Sequence, residues 1–245
     1  MAEETAVLMA AGLGSRMRPL TDRIAKPLVK VHGKRMIDTV IQGLIARGVK
    51  KIYVVTGYKS EQFEVLEKEY SDLEKGIVLT VLKNTEYETV NNISSVKAAC
   101  DAGAIGNTDT FICEADLYIP DPAVFTASMD HSCYFGRMVS GYSDDWVFEQ
   151  DESGRITRVG KGGSDVYNMV GISWFKASDA EILKNAIYAA YEKGGYEELF
   201  WDDVVNDNLY KLELTVHPID DGAITEIDSI DELAAVDPGW SEGNQ

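Results

Sequence analysis

The chain has 245 residues, 45 % hydrophobic and 26 % charged, which suits one large domain, or a domain with a small lobe, and is enough for a real core. Its 41 acidic against 23 basic residues give a net charge of −18, which repels nucleic acid and anionic membranes and leaves few cations to meet a phosphate-rich ligand. No apolar run approaches the roughly 18–20 residues of a membrane span, the acidic start MAEET carries no basic secretion region, and three cysteines form no CxxC pair, so a reducing, cytoplasmic setting without structural disulfides or zinc is expected.

Residues 5–10, TAVLMA, are a short apolar run that stops near glycine and predict a buried strand. A basic, glycine-bearing loop follows. Met36, Ile37, Val40, Ile41, Leu44 and Ile45 recur with helical period, and Gly48 closes that helix. KKIYVVTGY predicts a second buried strand. Ser60 can cap a helix with Phe63, Leu66 and Tyr70 on its apolar face, and GIVLTVLKN predicts a third strand. NNISSVKAAC opens another helix, and DTFICEADLYI predicts a fourth strand ending in acidic residues. Alternation of strand and helix to this point argues a parallel sheet covered on both faces.

After residue 130 the pattern changes. SCYFGRMVS, WVFEQDESGRITRVG and YNMVGISWF predict strands joined by turns, with DESG as a hairpin turn. Ser178 and Glu181 predict a capping box that opens a helix ended by Gly194 and Gly195. YKLELTVHPI returns to strand, EIDSIDELAAV runs from a short strand into a last helix, and DPGWSEGNQ is expected to fray.

The chemistry is concentrated in AAGLGSRMRPLTDRIAKPL, residues 10–28. Glycines open conformations closed to other residues, and successive backbone N–H groups can then point at an anion. Gly12 and Gly14 match G-x-G, but Met17 replaces the third glycine of a dinucleotide fingerprint and the P-loop lysine is missing. Arg16 and Arg18 bring guanidinium groups suited to bidentate phosphate contact, and Lys26 adds a point charge. A bare G-x-G is more often a turn. Three cations gathered after the first strand of an α/β pattern, in so acidic a chain, favour phosphate.

The stretch LMAAGLGSRMRPLTDRIAKPLVKVHGKRMID resembles the signature of nucleotidyltransferases that activate sugar phosphates and small phosphorylated alcohols. Within that superfamily the pieces TGY, NN-x-x-S, EADLYI, DDWVF, LFWDDVVNDN and EIDSIDEL, in order over about residues 5–235, most resemble the CTP:phosphocholine cytidylyltransferases. The resemblance implies an α/β fold, with a Rossmann-like, mostly parallel sheet flanked by helices and a less regular C-terminal half forming the acceptor side of a cleft. It implies a single domain over 1–245, with a nucleotide-binding half at about 5–130, an acceptor-binding half at about 131–235 and a frayed tail at 236–245. Two departures stand out: Ala25 occupies a position where proline usually precedes the lysine, which should loosen the loop slightly, and GKRMI replaces G-K-P-L-I.

The implied reaction is Mg²⁺-dependent, in-line transfer of CMP from CTP to phosphocholine, giving CDP-choline and pyrophosphate, with no nucleic-acid partner and no membrane insertion. Positioning and charge neutralisation carry most of such a reaction. Arg16 and Lys26 are the expected catalytic cations. Ala10, Ala11, Gly12, Gly14, Ser15 and Arg16 form the expected nucleotide cradle, while Arg18 could instead brace the loop. Asn91 and Asn92 match the segment near base and ribose, and equally read as a helix cap. Asp116, where the fourth strand ends, and Asp228 are assigned to the metal by resemblance; two such carboxylates suit octahedral Mg²⁺. Glu114 is expected to face the other way if the strand continues. Trp146, Phe200, Trp201, Asp202 and Glu226 match the choline pocket, where aromatic faces and carboxylates hold a quaternary ammonium. Alternatives are a relative acting on phosphoethanolamine, 2-aminoethylphosphonate or a sugar 1-phosphate, and a nucleotide-binding regulatory subunit without turnover.

Overall fold

A computed structural model describes residues 3–244. The first half alternates strand and helix: β1 (Glu4–Ala10), the hairpin β2 (Lys30–Val31) and β3 (Lys34–Arg35), α1 (Met36–Arg47), β4 (Lys51–Thr56), α2 (Val65–Tyr70), β5 (Val78–Lys83), α3 (Ile93–Asp101) and β6 (Asp109–Glu114). The short β7 (Leu117–Tyr118) follows a bend. The second half holds β8 (Ser132–Gln150), β9 (Ile156–Phe175), α4 (Ala177–Lys193), α5 (Trp201–Asp207), β10 (Leu214–Pro218), β11 (Thr225–Glu226) and α6 (Ile230–Val236).

Seven strands form one sheet in the order β10-β8-β9-β6-β1-β4-β5, so it runs through both halves of the chain. β1 pairs in parallel with β4 and β6, β4 with β5, and β10 with β8; β9 is antiparallel to its two neighbours. This is the mostly parallel α/β sheet that the sequence predicts. β1 is buried on both faces: Ala6, Leu8 and Ala10 enter the core beneath α1, and Val7 enters the core beneath α3 and α4. Burial of a Leu-sized side chain contributes roughly 1.5–3 kcal/mol, so such central strands anchor the fold. α1 buries its predicted stripe and ends at Gly48, whose φ of 101° lets its N–H reach the carbonyls of Leu44 and Ile45.

From β1 the chain builds outward through β4 and β5, then crosses back to lay β6 on the other side of β1. Loops leaving β1 and β6 therefore diverge, and the crevice at their carboxyl ends is where open α/β sheets bind ligands.

Four local predictions change. Ser60 does not cap α2, which begins at Val65; it opens a 3₁₀ turn that follows Lys59. SCYFGRMVS and WVFEQ fuse into the single 19-residue β8, which pairs with the 20-residue β9 through repeated register shifts. α4 begins at Ala177, so Ser178 sits inside its first turn. Its start is tied instead by other elements: Lys176 N–H donates to the Ser132 hydroxyl and Ala177 N–H to Asp109 Oδ1, both at 2.9 Å. In the C-terminal segment, Trp240 packs on a small cluster that includes Met17, Leu20 and Leu233, and Arg23 pairs with Glu242 at 2.6 Å. The Ser229–Glu232 capping box opens α6. All three cysteines are free and buried, and no helix among the described residues is long and apolar enough to cross a membrane.

Candidate active site

A cleft of about 440 Å³ opens at the carboxyl ends of β1, β5 and β6. Ala10, Ala11, Gly12, Gly14, Ser15, Arg16 and Lys26 line one wall. Gly14 has φ 60° and ψ 32°, and a Cβ there would stand 2.9 Å from Lys26 Cβ; only glycine permits this turn to close on the lysine. Three 3₁₀ turns fold the rest of the loop back: Thr21 donates to the Gly14 carbonyl at 2.9 Å, and Tyr58 donates to the Thr21 carbonyl at 3.1 Å. Ala25 does not leave the lysine segment loose. Its N–H donates to Gln62 Oε1 at 2.9 Å, a bond proline could not make, and Gln62 also donates to the Arg23 carbonyl. Arg18 pairs with Asp22 at 3.3 Å, bracing the loop from outside the cleft.

The loop's cations reach across to the acidic end of the cleft. Lys26, buried, sits 2.5 Å from Asp116 Oδ2 and 2.5 Å from Asp228 Oδ1. Burial alone would lower its pKa, but the two carboxylates outweigh it and hold the ammonium well above the usual lysine range. Arg16 reaches Asp228 at 2.8 Å with most of its side chain still open to solvent. Asp228 is held below the ordinary carboxylate value: burial opposes this, and Lys26 and Arg16 prevail.

Glu114 faces into the same cleft, contrary to expectation. Glu114 ends β6, and the bend at residues 115–116 brings Asp116 to the same cleft. The Glu114 carboxylate rests against Gly171, where φ is 76° and a Cβ would lie 2.7 Å from it, so this glycine makes room for the acid. One carboxylate oxygen each from Glu114, Asp116 and Glu226 lie within 4.8 Å of one another. Glu114 and Glu226 are both pushed well above the usual carboxylate range, first by burial and then by repulsion from the acids around them. With two side-chain cations against four carboxyls, Glu114 and Glu226 hold their protons until a further cation enters the site. The donors are all hard oxygens, which suits Mg²⁺.

The remaining predicted residues divide. Asn91, Asn92 and Phe200 line the cleft. Both asparagines also tie α3 to the segment ahead of α5: Asn91 donates to the Glu198 carbonyl at 2.9 Å, and Asn92 Oδ1 accepts from Trp201 N–H at 3.0 Å. Trp146 stands beside the cleft, its ring edge-to-face with Phe200 at 5.5 Å. Trp201 is core, 3 % exposed and stacked on Tyr134. Asp202 is buried and accepts from the Tyr134 hydroxyl at 3.0 Å. Together with Glu114 these two line a separate cavity of about 10 Å³, room for roughly one water. Burial pushes the Asp202 carboxyl up to about 7, although the Tyr134 bond acts the other way.

Sequence reasoning missed Asn84, Tyr87, Ser94 and Ser95 in the cleft wall. Asn84 donates to the Ser94 hydroxyl at 2.8 Å and the Ser95 hydroxyl at 3.2 Å, joining the end of β5 to α3. The available signal was position: Asn84 immediately follows a parallel strand, at the end where ligands collect.

The nucleotidyl transferase family profile matches residues 5–132. A 2-aminoethylphosphonate cytidylyltransferase of Lancefieldella rimae is 51 % identical, over 98 % of this chain and 94 % of its own length. A choline-phosphate cytidylyltransferase of Streptococcus pneumoniae is 28 % identical over 93 % of this chain and 94 % of its own. Among solved structures, a CTP:phosphocholine cytidylyltransferase from S. pneumoniae superposes with a TM-score of 0.84 at 28 % identity, covering 96 % of this chain and 98 % of that one.

Proposed function

The chain belongs to the nucleotidyl transferase family, and within it we propose a cytidylyltransferase that moves CMP from CTP to a small phosphonate or phosphate bearing a primary ammonium, such as 2-aminoethylphosphonate. The carrying observation is the group of four carboxyls at the cleft's acceptor end, where Glu114 and Glu226 stand beside Asp116 and Asp228 with only Lys26 and Arg16 against them, so a further cation entering there would draw off the protons that Glu114 and Glu226 hold. A primary ammonium has three N–H donors for such acceptors; a trimethylated one has none and depends on aromatic faces. The 51 % identical relative supports the same choice.

An acceptor oxygen attacks the α-phosphorus, the bond to the β-phosphate oxygen breaks, and pyrophosphate leaves. Backbone N–H groups of the Gly12–Arg16 turn hold the departing phosphates, and Lys26 and Arg16 offset charge that grows on them. Asp116 and Asp228 would hold Mg²⁺, which when bound supplies charge neutralisation to the phosphate oxygens. Glu114 and Glu226 fix the acceptor ammonium. Ser94, Ser95, Asn91 and Asn92 stand on the opposite wall, on the side left for ribose and base.

Phosphocholine is the second reading. The Trp146–Phe200 pair beside the cleft favours it, as does the superposed phosphocholine enzyme. Pyrophosphate release with CTP, Mg²⁺ and a panel of acceptors tests both. Release with 2-aminoethylphosphonate at a kcat/KM above that for phosphocholine, abolished by chelation, is expected. Preference for phosphocholine would replace the acceptor, and nucleotide binding without turnover of any acceptor would make the chain a regulatory subunit.

A further inference from the structure

Trp146 and Phe200 form an aromatic corner, and Phe200 is part of the cleft wall. Such a corner is what a trimethylammonium group would use. Here a cation of the chain already lies against it. Lys161 Nζ stands 5.9 Å from the Trp146 ring centroid and 5.6 Å from that of Phe200. In a chain with 41 acidic residues, this lysine makes no ion pair among the described residues; its partners are the two rings.

The placement is built into the strands. Lys161 of β9 lies directly across from Trp146 of β8, and the register shifts on both sides of that pair. Shifts of this kind re-aim side chains beside binding sites. Arg158, paired with Glu149 at 2.7 Å, donates to the carbonyls of Lys161 and Gly162 at 3.3 and 2.5 Å and so fixes the backbone carrying the lysine.

We propose that Lys161 selects the acceptor: its ammonium covers the aromatic corner against trimethylated headgroups, while a primary ammonium passes to the carboxylates Glu114 and Glu226. This rests on the acceptor class argued above and names the residue that enforces it. A trimethylammonium group would have to displace Lys161 from both rings and then tolerate a like charge beside it. A primary ammonium uses carboxylate acceptors and needs neither ring. Discrimination through a repulsive element is a general route to specificity.

The test compares kcat/KM for phosphocholine and for 2-aminoethylphosphonate, with CTP, in the full chain, Lys161→Gln and Lys161→Arg. The phosphocholine-to-aminoethylphosphonate ratio should rise at least about tenfold in Lys161→Gln and stay within about threefold of the parent in Lys161→Arg. An unmoved ratio in Lys161→Gln overturns the proposal. That includes both acceptors improving together, the result of losing a nearby charge alone. Tryptophan-fluorescence titration with tetramethylammonium reads the same claim without turnover: Lys161→Gln should respond at lower concentration than the parent, and equal responses overturn it. If the parent turns over neither acceptor, the acceptor assignment fails by itself, and the titration still decides the role of Lys161.

Discussion

The two sides of the cleft are made in different ways. The side proposed for the phosphates is one continuous loop between β1 and β2, held by bonds from Thr21, Tyr58 and Gln62. The side proposed for the acceptor is assembled from the end of β6, the residue before α5 and the β11 segment, with the β8–β9 pair beside it through Trp146, and these lie far apart in the chain. A contiguous loop fixes its own geometry. A composite wall takes its geometry from strand register, so its selectivity can change while the cradle stays as it is.

The strongest way to break that comparison is through Lys26, which joins the two sides. Lys26→Met should lower kcat about 10²–10³-fold, the usual cost of losing one group aimed at developing charge, and should do so alike for every acceptor. Steady-state kinetics with two acceptors checks it; a loss confined to one acceptor would move Lys26 from the cradle to the selective wall.

A second, smaller effect belongs to the composite side. Asp202 has an ordinary value of 3.8 when unfolded and about 7 when folded, so between these the folded chain holds more protons. Its contribution to stability therefore falls as pH rises from about 4 to about 7 and is least favourable above that. Asp202→Asn removes the titration and keeps an acceptor for the Tyr134 hydroxyl. Thermal melts should show the variant gaining over the parent at pH 8, by at most about 4 kcal/mol, with the gain vanishing near pH 4. A gain independent of pH would show that the carboxyl is not held protonated by its burial.

The smallest effect sharpens the account of the cradle. In Ala25→Pro the native φ of −63° suits proline, but the bond to Gln62 is lost. A gain of about 0.4–1 kcal/mol from a stiffer unfolded chain opposes a loss of about 1 kcal/mol, so the melting temperature should move by only a few degrees. A large drop would make the Gln62 bond the main anchor of the Lys26 segment.

This division also explains what the sequence could reveal. Gly12, Gly14, Arg16 and Lys26 are readable because they share one short stretch whose residue types follow from phosphate chemistry. Asp116 is readable because it follows a predicted strand. Glu114 was assigned to the wrong face because the strand does not continue past it: the chain bends at residues 115–116. Trp201 and Trp146 look equivalent in sequence, each beside acidic residues, yet one stacks in the core on Tyr134 and the other stands at the cleft's rim. Lys161 gives no sequence signal, because its place over two rings depends on a register that bulges set.

The carboxylate set is closed by very little backbone. β7 and β11 meet through only Leu117 with Glu226 and Tyr118 with Thr225, a ladder of two rungs backed by Ile227 and Leu233 in the small cluster behind it. Asp116 stands just before one side of this ladder and Asp228 just after the other. During synthesis the cradle and most of the sheet leave the ribosome long before Glu226 and Asp228. A chain stopped short of them would own its glycine loop and still lack half of the cleft's four carboxylates, because Glu226 and Asp228 lie on and just after the last short strand.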